Sequence, residues 1–163
     1  HKCYGIAAAG KREMVVIGNC GNDKYYWSLI SIEGDVKSSQ QYHSPSGYFN
    51  YIAINRAKTR VYVTLPSMHT LLCFDMEGRK QFTYNPSNLK YPRGVLVDRD
   101  DNIFVTGYDS SNIHHLSPDG SVIQVITTGM PKRPFAICMD KSRDMFIVTD
   151  IEDKRKIHLY RLK

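Results

Sequence analysis

One phrase recurs along this 163-residue chain every 42 to 43 residues, and that period limits the folds open to it. It carries Val63-Thr64, Val105-Thr106 and Val148-Thr149. An apolar triplet opens each unit at Ile52/Ile54, Val95/Val97 and Ile137/Met139, with a more distant relative at Ile6/Ala8. A polar residue closes three of these openings: Asn55, Asp98 and Asp140. Glycines follow in register at Gly34, Gly78 and Gly120. Self-similarity of about 40–45 residues is the length of one four-stranded propeller blade, a unit that buries its apolar faces only by stacking on its neighbours.

Each unit consists of short apolar runs separated by turn residues. In the third, Gly94–Asp98 alternates, Arg99–Asn102 makes a polar turn, and Ile103–Thr106 is a β-branched and aromatic run. Asp109–Asn112 is a loop, Ile113–Leu116 a third strand, Pro118–Gly120 a tight turn and Val122–Ile126 a fourth strand. Glycine after an acidic residue supplies the positive φ that such a turn requires. Helical periodicity is poor, and the prolines fall between the runs, as in an all-β chain.

The units divide a single domain into blades of about 1–45, 46–88, 89–130 and 131–163. The fourth has strands at Phe135–Met139, Met145–Thr149 and Ile157–Leu162. The first is the least regular, with strands at Met14–Ile17 and Ser28–Ile32 and a loop over Asn19–Lys24 unlike any later copy. The expectation is a partial propeller of about 3.75 four-stranded blades, since closed rings need about four to eight. Further sequence of the same polypeptide is expected to close the ring. With edge strands unpaired, residues 1–163 alone are expected to self-associate.

The 22 Lys and Arg against 16 Asp and Glu give a net charge of +6 and a pI of about 9.1. A basic surface suits acidic partners, nucleic acid among them, although a charge-rich solvated exterior has the same composition. No apolar stretch reaches the roughly 18 residues that span a bilayer, so no membrane partner is expected. No signal-peptide pattern opens the chain, and the missing initiator Met points to a piece of a longer polypeptide. Cys3, Cys20, Cys73 and Cys138 are too scattered for a zinc knuckle; reduced thiols and a cytoplasmic location are expected, with a Cys3–Cys20 disulfide as the alternative.

In a propeller, one rim is built from the loops between blades and from those joining the second and third strands. Here that rim receives Lys90, Tyr91, Arg93, Tyr108, Lys132, Arg133, Lys154, Arg155 and Lys156, with Tyr48, Phe49 and Tyr51 near it. Cations interleaved with tyrosines suit phosphates and unstacked bases. The alternative is packing: the Arg93 stem covers apolar surface and Tyr91 lies half-buried against the next blade. The other rim is also basic, through Arg56, Lys58, Arg60, Arg79, Lys80, Arg99, Lys141 and Arg143. His114 and His115 are adjacent on a strand and point to opposite faces, so they cannot share one ion. Ser110 and Ser111 lack a nucleophile-elbow context, so no catalytic residue, metal or cofactor is expected. Asn55, Asp98 and Asp140 recur once per blade and read as acceptors for turn N–H groups.

The stretch Tyr91-Pro-Arg-Gly-Val-Leu-Val-Asp98, followed by Asn102-Ile-Phe-Val-Thr106 and Ile113–Gly120, resembles an NHL repeat. More specifically, the chain resembles the C-terminal propeller of tripartite-motif-like, B-box zinc-finger proteins of bivalve molluscs. That resemblance implies a ring expected to be six-bladed, preceded by RING, B-box and coiled-coil modules absent here. It implies a non-catalytic recognition end of a ubiquitin ligase, binding a protein target, with RNA binding through the basic rim as the alternative. A propeller enzyme of the lactonase or lyase type comes third. Such enzymes hold a metal in the channel with His, Asp, Asn or Glu, whereas the inner positions here are Ile, Val, Ala and Met.

Overall fold

The computed structural model describes residues 2–21, 23–44, 47–127, 129, 131–140, 145–152 and 157–161. Its strands form four antiparallel sheets, each laid down in chain order. Blade 1 holds β1 (Lys2–Ala8), β2 (Glu13–Asn19), β3 (Lys24–Ser31) and β4 (Val36–His43). Blade 2 holds β5 (Ile52–Ile54), β6 (Arg60–Leu65), β7 (Thr70–Asp75) and β8 (Lys80–Tyr84). Blade 3 holds β9 (Pro92–Val97), β10 (Ile103–Gly107), β11 (Asn112–Leu116) and β12 (Val122–Ile126). Blade 4 holds β13 (Pro134–Asp140), β14 (Met145–Asp150) and β15 (Ile157–Arg161). The innermost strands β1, β5, β9 and β13 contact one another in succession, so the sheets radiate from a shared axis as an arc of a propeller.

Turn chemistry sets these strands. Gly34, Gly78 and Gly120 sit at φ of 96°, 80° and 89°, and each N–H donates to the carbonyl three residues earlier. At the turn after the inner strand, Asp98 Oδ1 accepts from the N–H groups of Asp100 (2.9 Å) and Asn102 (2.8 Å). In the preceding blade Asn55 Oδ1 serves likewise, accepting from Thr59 and Arg60 at 2.9 Å each. The residue recurring once per blade is therefore a turn acceptor at these two positions.

The core lies between blades. Val15, Ile17, Trp27, Phe49, Val61, Val63 and Phe74 fill the first interface. Tyr62, Leu71, Cys73, Leu89, Ile103, Val105 and Leu116 fill the second. Phe104, Ile113, Phe146 and Val148 form the smaller third. Phe49, expected near the rim, is instead fully buried, ringed by Tyr25, Tyr42 and Phe74 within 5.1–6.4 Å. All four cysteines are free thiols.

The repeated threonine clasps successive blades. Thr106 Oγ1 accepts from Gly94 N–H (2.8 Å) within its blade and donates to the Phe135 carbonyl (3.0 Å) of the next. Thr64 does the same, accepting from Tyr51 N–H (3.1 Å) and donating to the Arg93 carbonyl (2.9 Å). Thr149 accepts from Ala136 N–H at 3.0 Å. Thr106→Val keeps the shape but leaves a buried N–H and a carbonyl unmatched, at a cost of about 1–3 kcal/mol in urea unfolding. Unchanged stability would show that the clasp contributes nothing.

His114 and His115 do point to opposite faces. His114 is fully buried: its Nε2–H donates to the Asn88 carbonyl (3.3 Å), and its Nδ1 accepts from the Tyr84 hydroxyl (2.7 Å). His115 stacks on Phe104 at 4.2 Å. Burial lowers the pKa of both rings below 6.5. A ring held neutral while its unfolded counterpart protonates removes stability as pH falls below about 6.5, by up to about 1.4 kcal/mol per pH unit. Urea midpoints should therefore drop between pH 7.5 and pH 5, and His114→Gln should flatten that slope. A midpoint indifferent to pH in wild type would contradict the assignment.

Candidate recognition rim

The segments just before β9 and β13 and the loop after β10 gather on one rim, as the chain order requires. Within blade 3, Tyr108 N–H donates to the Tyr91 carbonyl (3.3 Å), Asp109 N–H to the Lys90 carbonyl (3.1 Å) and Lys90 N–H to Ser110 Oγ (3.0 Å). Ser111 Oγ donates to the Lys132 carbonyl (2.6 Å) and so ties this loop to blade 4. Lys90, Tyr91, Arg93, Tyr108, Lys132 and Arg133 are thereby brought to one surface; Lys154, Arg155 and Lys156 lie outside the described residues.

Arg93 is the centre of this surface. Its guanidinium carbon lies 4.8 Å from the ring centre of Tyr91, 5.1 Å from Phe135 and 5.5 Å from Tyr108. Rings at this distance attract a cation through their electron-rich faces. Arg93 Nε is nevertheless buried without a hydrogen-bond partner, and no ion pair to Arg93 occurs among the described residues. Tyr91 holds a left-handed backbone, φ 50°, which a bulky residue adopts only when its surroundings impose it. Here they do: its N–H donates to His69 Nδ1 (3.0 Å) and its hydroxyl bonds that of Tyr48 (2.7 Å). Tyr91 and Arg93 therefore pack across blades, as the packing alternative requires, and still present a cation at the rim.

The surrounding charges differ in their pairing. Arg133 stacks over Tyr108 at 5.4 Å and pairs with Glu152 at 3.3 Å. Lys90 and Lys132 are exposed, with no ion pair among the described residues. On the opposite rim, Lys58 pairs with Glu13, and Arg79 with Asp75 (2.7 Å) and Glu77 (3.0 Å). Lys141 and Arg143 lie outside the described residues.

Below Arg93 runs an axial groove of about 410 Å³ lined by all four innermost strands. Tyr51 stands at its upper end and packs edge-on against Phe135 of blade 4 at 5.8 Å. The lining below is Ile, Ala, Val, Leu and Met, with Cys138 as the one other polar side chain. This donor set does not fit a channel metal: it offers no carboxylate or imidazole, and no group of three metal-binding side chains occurs among the described residues. Burial raises the Tyr51 pKa, so its phenol stays protonated near neutral pH. A second cavity of about 460 Å³ at the opposite rim is lined by Asn55 and Asp98, whose oxygens are committed to their turns. No helix among the described residues is long and apolar enough to cross a membrane.

Sequence reasoning located Arg93 and its tyrosines but missed Phe135, which read as an ordinary strand residue. Its signal was register: Phe135 stands where Arg93 stands one unit earlier, 42 residues before.

Comparisons with known proteins agree on the fold. No curated protein sequence matches the chain at a significant level. Among solved structures, virginiamycin B lyase from Staphylococcus aureus is 14% identical, with a TM-score of 0.68 over 98% of this chain. The β-propeller domain of Cps50 (Swd1) from Myceliophteria thermophila is 9% identical with a TM-score of 0.75 over 100%. Hydrazine synthase of Kuenenia stuttgartiensis is 11% identical with a TM-score of 0.71 over 93%. This chain spans 55%, 55% and 56% of those three chains. Identities this low establish a shared propeller architecture and no shared chemistry. The family described as SMP-30/gluconolactonase/LRE-like region matches residues 9–151, and the chain belongs to that family.

Proposed function

We propose that this propeller arc is a non-catalytic recognition platform whose upper rim binds a segment of a protein partner. The observation that carries the reading is Arg93: a half-buried cation held among three rings, without a counter-ion among the described residues, above an apolar groove. A partly desolvated charge gains from an acceptor, and the rings supply only a fraction of that need. By the resemblance to tripartite-motif-like proteins, the bound segment would belong to the target of a ligase whose catalytic modules lie elsewhere in the polypeptide. The family name and the lyase neighbours favour an enzyme, but the groove lining holds no carboxylate or imidazole to ligate a metal or shuttle a proton.

Selection from a random dodecapeptide library against the immobilised protein tests this reading. Sequences enriched on wild type and lost from Lys132→Glu plus Arg133→Glu support it. No enrichment, or enrichment indifferent to those changes, overturns it.

A second reading, RNA binding, is favoured by Lys90, Arg93, Lys132 and Arg133 sharing a rim with Tyr91 and Tyr108. Filter binding to random RNA should then weaken steeply with salt as phosphate contacts are displaced, and disappear in Arg93→Ala plus Arg133→Ala. No retention at low salt would remove that reading.

A further inference from the structure

The segment bound at this rim has a definite chemistry: we infer that it carries an acidic side chain next to a large apolar one, the carboxylate meeting Arg93 and the apolar group descending into the axial groove. The inference rests on the rim reading above and narrows it. The rings of Tyr91, Tyr108 and Phe135 flank the guanidinium; Nε is buried, so an incoming acceptor meets the terminal nitrogens. What the site lacks is a planar anion, and a carboxylate meets a guanidinium through paired, charge-assisted hydrogen bonds.

The apolar requirement comes from the adjoining space. Tyr51 belongs both to the groove lining and, through its contact with Phe135, to the aromatic cluster around Arg93. Anion acceptor and apolar volume are therefore contiguous. The groove, about 410 Å³, falls within the range that ligands fill, and Ile52, Val95, Ile137 and Met139 line it. A purely apolar ligand leaves Arg93 without a partner, and a bare phosphate backbone leaves the groove unfilled. Base edges would find few hydrogen-bonding groups there, so peptide is favoured over nucleic acid. Lys90 and Lys132, exposed at the same rim, add long-range attraction for an acidic segment.

The test uses fluorescein-labelled peptides carrying Leu-Asp-Leu within a Gly-Ser context, read by anisotropy against the whole chain. Saturable binding is expected, weakened about tenfold or more when Asp is replaced by Asn or both Leu by Ser, the effect of losing a charged hydrogen bond or its apolar partner. These arms leave the protein unaltered, so folding is not at issue. Arg93→Met, which keeps the stem against the rings, should lose about as much as the Asn peptide, and Arg93→Lys should keep some of the affinity. Equal binding of the Asp and Asn peptides, or unchanged binding to Arg93→Met, would overturn the inference. So would binding of a phosphoserine version alone, or retention of random RNA that Arg93→Met abolishes with no peptide bound. If library-selected peptides depend on Lys132 and Arg133 but not on Arg93, this inference falls and the rim reading stands; if none depends on the rim, both fall.

Discussion

Phe104→Ala should lower the free energy of unfolding by about 3–5 kcal/mol, the cost of emptying a large aromatic site in a close-packed core. Phe104 is fully buried, stacks on His115 at 4.2 Å and meets Phe146 of blade 4 at 5.4 Å. Among the described residues the interface between blades 3 and 4 has four fully buried members, with Leu96, Ile126, Ile137 and Tyr160 packed against them, so its largest rings dominate it. In a repeat architecture each unit is stabilised chiefly by its neighbours, so the damage should stay local. Urea unfolding gives the magnitude. Hydrogen exchange should show β13 and β14 opening more readily while blade 1 keeps its protection. A loss under about 1 kcal/mol would mean that these blades do not pack as described.

Gly94→Ala should cost about 3 kcal/mol, the upper end of the range for overpacking. A Cβ there would lie 2.8 Å from the Phe135 carbonyl oxygen and 2.9 Å from Ile137 N, both backbone atoms of the next innermost strand. Backbone cannot rotate aside, so blades 3 and 4 must separate. That separation stretches the clasp from Thr106 to Phe135 and draws the Phe135 ring away from Arg93. The variant should therefore melt earlier and also bind rim ligands less tightly. Melting and binding like wild type would contradict the close approach of these strands.

The blade plan was legible because the period sets it. Apolar triplets recurring in register marked the innermost strands, and acidic-Gly pairs marked the tight turns. Blade 1 was harder. Its outer strand β4, Val36–His43, is mostly Ser, Gln and Lys, with no apolar alternation to announce it. It is held by cross-strand and inter-blade hydrogen bonds, Ser28 to Ser39 at 2.8 Å and Gln40 Nε2 to the Met76 carbonyl at 3.3 Å. Pattern reading cannot anticipate partners so distant in sequence.

The rim was only partly legible, again through the period. Chain order alone brings Lys90, Arg93, Tyr108 and Lys132 to one end of the blades. It does not tell which neighbours turn inward. Phe49, two residues before Tyr51, enters the core, whereas Tyr51 lines the axial groove and touches Phe135 from two blades away. Nor does it reveal which cations are already matched: Arg133 has Glu152, while Arg93 has rings and no carboxylate among the described residues.

Hydrogen exchange on the complex with the Leu-Asp-Leu peptide probes the recognition rim as a whole. Slowed exchange in 90–93, 107–111 and 132–136, with 98–102 and 117–121 unchanged, is the expected result. Slowing confined to 98–102 and 117–121 would put the ligand on the opposite end of the blades and contradict the role given to Arg93.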